Sequence, residues 1–321
     1  MRRVSLGIIG LGRHGTRYAG HILSDINNGK LVAVCRRNEK EGKAFAEEKG
    51  VRFYKDYPGL IKDSEVEAVV IVTTPNMNCE IATLAAREGK HILLEKPFAV
   101  NAKEAGAIIK EAKKSNIRLM AGQTLRYNPV VREMKKRKDE IGPIHTISMN
   151  QRYEAFDKEW AMDAEIAGGG NILHLGVHIF DAMRWFTGDE VKTVYCETAN
   201  IFTPRLEDSF VAVLRLTKGT KCLVDSCRYT ESRSGRIELV GEKGQLIGDF
   251  VHNSLFMIKG REMVPVPVPE DTPTIKDVLE DFCGSIINDA VPPITGEDGL
   301  KTIEIADACY LSARKKREIS L

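Results

Sequence analysis

The sequence has no apolar run of membrane-spanning length, no C-x-x-C pair among its seven cysteines, and almost no net charge. Each absence removes a class of function. Forty-seven Lys and Arg against forty-five Asp and Glu leave +2, so no field exists to gather nucleic acid or an anionic membrane. The run Lys135-Lys136-Arg137-Lys138 is the one basic cluster and reads as the solvated face of a helix. Seven cysteines is an odd number, and without zinc-ligand spacing they indicate neither a disulfide framework nor a metal cluster; a reducing cytosol suits them. The chain runs straight into an apolar strand with no leader-like segment, which again points to the cytoplasm. Aromatics are sparse at 7%, but 43% hydrophobic and 29% charged residues are those of a globular protein, and 321 residues imply two domains.

What is present begins at Val4. The apolar run to Ile9 predicts a buried strand, followed at once by Gly10-x-Gly12-x-x-Gly15 and a helix from about His14. In a dinucleotide-binding turn the first glycine allows the sharp bend, the second lets backbone N–H groups approach a pyrophosphate, and the third lets helix and strand pack closely. The helix N-terminus then faces the phosphates. A second short strand, Leu31 to Cys35, ends at Arg36-Arg37. That position decides the ribose: a carboxylate suits the 2′-hydroxyl of NAD, and arginine suits the 2′-phosphate of NADP. With no acid until Glu39, the pair favours NADP(H), with NAD(H) the alternative.

Ala68 to Thr73 predicts another buried strand, running into Thr74-Pro75-Asn76; His91 to Leu94 predicts one that delivers Glu95-Lys96-Pro97. Both triplets fall at the carboxyl edge of a parallel sheet, where ligands bind in open α/β sheets. Lys96 there lies near the place of a nicotinamide ring. Alternation of strands and helices to about residue 122 gives a doubly wound Rossmann domain, residues 1–122. From Ile144 the texture changes to seven strands in succession with glycine turns, so 123–321 reads as an α+β domain with a large, mostly antiparallel open sheet.

One helix interrupts those strands, Asn171 to Phe186, opening from Gly168-Gly169-Gly170. His174 and His178 are four apart and share a face, with Asp181 near it; the glycines are expected to let a ligand or the other domain's backbone come close. The pair reads first as satisfied core histidines, then as acid/base groups, and least as two metal ligands, since no third ligand is evident and the Glu of a His-Glu-x-x-His helix is missing.

Together, GIIGLGRHG, Thr74-Pro75-Asn76, Glu95-Lys96-Pro97, Gln123 with Arg126, the triple-glycine helix ending in His178, and Thr295-Gly296-Glu297-Asp298-Gly299 resemble the Gfo/Idh/MocA oxidoreductases, the group of glucose-fructose oxidoreductase and inositol dehydrogenase. The resemblance spans nearly the whole chain in order. It implies reversible hydride transfer between NAD(P) and a carbinol of a sugar, polyol or nucleotide sugar, with Lys96 positioning the hydroxyl and His178 exchanging its proton. His174 joins them as a catalytic candidate, and no metal is implied. The cofactor is expected on Gly10, Leu11, Gly12, Arg13, His14 and Gly15, on Arg36 and Arg37, on Thr73, Thr74, Pro75 and Asn76, and on Glu95, Lys96 and Gln123. Substrate is expected at Lys96, Arg126, Tyr153, Trp160, His174 and His178. A homodimer or homotetramer through the C-terminal sheet is implied as well. Two positions depart from the family pattern: His174 stands where it usually has Asp, and Cys79 where it has a histidine. A cofactor sensor without catalysis, or a metal-dependent hydrolase, are the competing classes.

Overall fold

Strand β1 (Val4–Ile9) is enclosed on both faces, with Val4, Leu6 and Ile8 fully buried, which is why it reads as a nearly continuous apolar run. The computed structural model describes residues 2–155, 158–270 and 272–321. Around β1 are α1 (Arg13–Ser24), β2 (Gly29–Cys35), α2 (Glu39–Lys49), β3 (Arg52–Tyr54), α3 (Tyr57–Ile61), β4 (Ala68–Ile71), α4 (Asn78–Arg87), β5 (His91–Glu95), α5 (Ala102–Lys114) and β6 (Leu119–Gly122). The strands pair in parallel in the order β3-β2-β1-β4-β5-β6. Strand order reverses beside β1, so the ends of β1 and β4 form the crevice typical of doubly wound sheets. Helices α2, α3 and α5 start where the sequence supplies caps: Asn38, Asp56 and Asn101 each accept a hydrogen bond from a first-turn N–H. Helix α5 buries Ala105, Ile108, Ile109 and Ala112, the i, i+3, i+4, i+7 stripe of an amphipathic helix.

The second unit contains α6 (Pro129–Arg137), β7 (Ile144–Arg152), α7 (Ala164–Ala167), a π-helical turn (Ile172–Gly176), α8 (Val177–Thr187), β8 (Val191–Ala199), β9 (Ser209–Leu216), β10 (Lys221–Cys227), β11 (Ser234–Gly241), β12 (Gly244–Asp249), β13 (Ser254–Lys259) and β14 (Glu262–Pro265). Helices α9 (Thr274–Ile287) and α10 (Gly296–Lys315) and the two-residue β15 (Ile319–Ser320) close the chain. One sheet runs β14-β13-β12-β11-β7-β10-β9-β8-β15. The β7–β10 pair is parallel, while β10–β9, β11–β7 and the flanking pairs are antiparallel. Strand β9 shows the one-sided pattern plainly: Phe210, Ala212, Leu214 and Leu216 are buried and alternate with exposed Val211, Val213 and Arg215. Phe180 of α8 packs on Phe210 with ring centroids 6.2 Å apart, so α8 covers the inner face.

The seven expected strands are β7 to β13, and the sheet is longer than expected by β14 and β15. Both are short edge strands that carry little apolar periodicity.

The division of the chain differs from a cut at 122. Residues 273–300 cluster with the first unit rather than the second. The edge strand β6 explains this: its outer side is met by an antiparallel bridge from Met120 to Thr295, and the Ala121 N–H donates to the Ile294 carbonyl at 3.1 Å. Asn28 also donates to the Glu280 carbonyl at 2.8 Å, holding α9 in place.

The basic run is not simply solvated either. Lys135 is partly buried, its amine donating to the Trp185 carbonyl and lying 5.1 Å from that ring's centre. Burial lowers its pKa.

Candidate functional site

Gly10 has φ +99°, and a Cβ there would lie 2.2 Å from the Val72 carbonyl oxygen. Only glycine fits that bend. Its N–H and that of Leu11 both donate to the Cys35 carbonyl, at 3.1 and 3.3 Å, which fixes the loop against the end of β2. A Cβ on Gly15 would lie 2.0 Å from the Gly10 carbonyl oxygen, so the third glycine is what lets α1 start directly over the loop. Gly12 is different. It is the N-cap of α1 without a side-chain cap, and a Cβ there would meet nothing within 4 Å. The uncapped N–H groups of the first turn, next to open space, are what a pyrophosphate needs. Arg13 is exposed on that turn, and Leu11 is buried beneath it.

The second wall of the crevice follows β4. Thr74 donates to the Asn76 side chain at 2.8 Å, Pro75 is buried, and Thr73 donates to Asn78 Oδ1 at 2.9 Å. Asn78 was not singled out by the sequence, yet it is 2% exposed and its amide donates to the Pro97 carbonyl at 2.9 Å. It therefore joins the Thr73 strand end to the Glu95-Lys96-Pro97 strand end, whose Lys96–Pro97 bond is cis. Gln123, at the end of β6, is 1% exposed. Glu95 is 5% exposed and takes bonds from His14, Tyr18 and the Lys96 backbone. Burial alone would raise its pKa, but the His14 bond and the charges of His14 and Lys96 outweigh it and hold the carboxyl down to about 2.

At the end of β2, Arg36 pairs with Glu41, in the first turn of α2, while Arg37 is exposed. Sequence position alone had not shown that Arg36 already has a carboxylate partner.

In the second unit, the expected uninterrupted helix opens instead on the π turn. Such turns are frequent at functional sites. Two of the three glycines before it are approached by the protein itself rather than left open to a ligand: Cβ atoms on Gly169 and Gly170 would lie 2.3 Å from the Tyr310 hydroxyl and 2.1 Å from the Glu207 carbonyl oxygen. What approaches them is this unit's own structure. The Gly170 N–H donates to the Tyr310 hydroxyl at 3.1 Å, which donates to Glu207 at 2.8 Å; Glu207 also accepts from the Ile172 N–H at 2.9 Å. Asn171 donates to Ser226 at 3.1 Å. Burial raises the Glu207 pKa. Glu207, Ser226 and Tyr310 carry no local sequence signal, because the network joins segments far apart in the chain.

His174 is 3% exposed and lies against Trp160, ring centroids 5.8 Å apart. His178 is partly exposed, and every other position from 171 to 183 is buried. Asp181 is engaged by Arg126 through Nε–Oδ2 and Nη2–Oδ1 contacts of 2.7 and 2.6 Å, with Arg126 also 5.9 Å from the Trp185 ring centre. Arg126, expected at the substrate, thus gives two of its donors to Asp181 in the interior. Tyr153 lies beneath the Arg233 guanidinium, 4.9 Å from its ring centre, and is largely enclosed, which raises its pKa. Among the described residues no cluster of three His, Cys, Asp or Glu side chains is arranged to hold a metal, and no helix is long and apolar enough to cross a membrane.

Residues 4–123 match the oxidoreductase family model with an NAD-binding Rossmann fold, and residues 137–321 match that family's C-terminal alpha/beta domain. The myo-inositol 2-dehydrogenase of Thermotoga maritima is 27% identical over 331 residues, covering 98% of each chain. The scyllo-inositol 2-dehydrogenase (NAD(+)) of Bacillus subtilis is 24% identical, covering 99% of this chain and 96% of its own. The aldose-aldose oxidoreductase of Caulobacter crescentus, solved with glycerol, superimposes with a TM-score of 0.91 at 24% identity over the full length of both. With both of its halves matched in order, the chain belongs to the Gfo/Idh/MocA oxidoreductase family, as its glycine loop and Glu-Lys-Pro strand end implied.

Proposed function

We propose that this protein oxidises a carbinol of a polyol or sugar reversibly, using NADP(H) in preference to NAD(H). The relatives named as inositol dehydrogenases support the polyol class. A bound nicotinamide supplies the hydride acceptor or donor. The α1 N-terminus at Gly12 holds the pyrophosphate, Leu11, Arg13 and Gln123 border it, and Thr73 to Asn76 form the second wall. Lys96 orients the substrate hydroxyl. His178 takes its proton as the hydride leaves and returns one in the reverse direction, a role suited to imidazole. Trp160, which packs on the enclosed His174 one turn before His178, offers an apolar face to the sugar.

The observation that carries this reading is the exposure pattern of the second-unit helix: of its positions 171–183, only His178 opens to solvent. A histidine serving the core would be enclosed like its neighbours. NADP is favoured because an exposed ion pair such as Arg36–Glu41 is worth only about 0–1 kcal/mol, so a 2′-phosphate can replace Glu41 as the guanidinium's partner.

The open face of the sheet supports self-association. Tyr195, Val213 and Leu223 lie in register across three strands, at 36%, 51% and 49% exposure, with Val211 beside them at 51%. A second copy of this chain is the partner assigned to that face; Val213→Asp tests it by shifting the mass in light scattering to the monomer. Seven free cysteines suit the cytosol.

The decisive experiment incubates the protein with NADP+ or NAD+ and a panel of inositols, aldoses and nucleotide sugars, following reduced-cofactor absorbance. Reduction with at least one polyol or sugar is expected, and silence across the panel with both cofactors overturns the reading.

A further inference from the structure

The three donors on Glu95 form an arrangement that hydride transfer itself does not use. Oε1 receives His14 Nε2 at 3.0 Å and the Tyr18 hydroxyl at 2.5 Å, and Oε2 receives the backbone N–H of Lys96 at 2.9 Å. An ionised carboxylate has no proton to give, so His14 is the donor and its Nε2 carries the hydrogen. His14 and Tyr18 are four apart on α1, with their rings edge-on at 5.4 Å, so one face of a single helix supplies two of the three bonds. That face begins inside the glycine loop, one residue before Gly15. His14 itself keeps 39% of its side chain exposed, whereas Glu95 keeps 7%.

We propose that His14 is a positioning residue for Lys96. Acting through Glu95, it ties the first backbone N–H beyond β5 to the helix that seats the dinucleotide, so the glycine loop and the lysine hold one spacing. The proposal rests on the reading of Lys96 given above. Loss of the His14 bond leaves the buried carboxylate short of a donor and slackens its hold on the Lys96 backbone. Displacements of about 1 Å in a catalytic arrangement cost on the order of a hundredfold in rate, so a partial slackening is expected to cost about tenfold or more.

The test compares wild type with His14→Leu, which removes the donor, and His14→Gln, whose amide can still donate to Glu95. Turnover is measured at saturating cofactor on the best polyol, and NADPH affinity by fluorescence titration. The expected result is a kcat at least about tenfold lower in H14L, cofactor Kd within about threefold of wild type, and H14Q back within about threefold in kcat. Tyr18→Phe, which takes away the other Oε1 bond, is the second variant should Leu disturb the helix, and the same kcat loss without a Kd change is expected from it. The proposal is overturned by H14L turnover within twofold of wild type, by a loss confined to cofactor Kd, or by H14Q faring no better than H14L. A wild type that binds NADPH but oxidises no carbinol overturns the dehydrogenase reading and this inference with it; an active wild type beside an unimpaired H14L overturns the inference alone.

Discussion

Arg126 and Asp181 meet in a two-pronged ion pair inside the second unit, Nε to Oδ2 at 2.7 Å and Nη2 to Oδ1 at 2.6 Å, with 8% and 1% of the residues exposed. Removing one partner leaves the other charge buried and unmet, which costs about 3–5 kcal/mol. Asp181→Leu and Arg126→Met are each expected to lower stability by that amount in urea unfolding. The double replacement, which leaves no orphaned charge, is expected to recover most of it. Additive losses in the double mutant would refute the assignment of the pair as a structural element.

The glycine loop separates folding from cofactor binding. Gly15→Ala places a Cβ 2.0 Å from backbone, so the protein is expected to be poorly folded or strongly destabilised. At Gly12 the added methyl meets no protein atom within 4 Å. Gly12→Ala is therefore expected to melt like wild type yet bind dinucleotide about tenfold more weakly or worse, since the methyl occupies the phosphate's approach. Thermal melting and a fluorescence titration of each variant check this.

For the chemistry, His178→Asn and Lys96→Ala are each expected to lower kcat at least about a hundredfold while cofactor affinity stays within a few fold, the range assigned to a positioned proton-transfer group. Near-normal turnover in either variant would reassign that residue to structure.

Glu95 gives a pH dependence with a definite sign. Its folded pKa is lowered from 4.5 to about 2, so it contributes stability above its unfolded value that is lost as pH falls from about 4.5 towards 2. A shift of that size corresponds to roughly 3 kcal/mol. Glu95→Gln is expected to be less stable than wild type at neutral pH and to show a flatter stability profile across that acid window, measured by urea unfolding at a series of pH values.

At the β2 end, replacing Arg36 and Arg37 together by Ser is expected to weaken NADP+ at least about tenfold and to leave NAD+ nearly unchanged. Equal losses for both cofactors would remove the phosphate-fork interpretation.

The sequence made the first unit legible because its strands are buried on both faces and its turns carry their own chemistry: Val4 to Ile9 and the three glycines after it each act on near neighbours. The sheet of the second unit was legible on a different ground, the succession of strands joined by glycine turns with no helices alternating between them. What escaped was long-range. Nothing near Asn78 announces that its amide bonds Pro97, nothing near Glu207 announces Tyr310 or the π turn, and Arg126 looked available for substrate because its partner Asp181 is 55 residues away. Of the two histidines, spacing could not say which one is enclosed; burial of 171–183 around His178 does.

The return of residues 273–300 to the first unit has a practical corollary. The chain passes from one unit to the other at 124, at 272 and again at 300, and the last passage falls within the single helix α10. A gene fragment stopped at 124 would yield a nucleotide module with β6 unguarded along one side and without the helix that Asn28 grips. Anyone wishing to graft a new substrate lobe onto this cofactor platform must therefore splice an insert between two retained pieces, not append a tail.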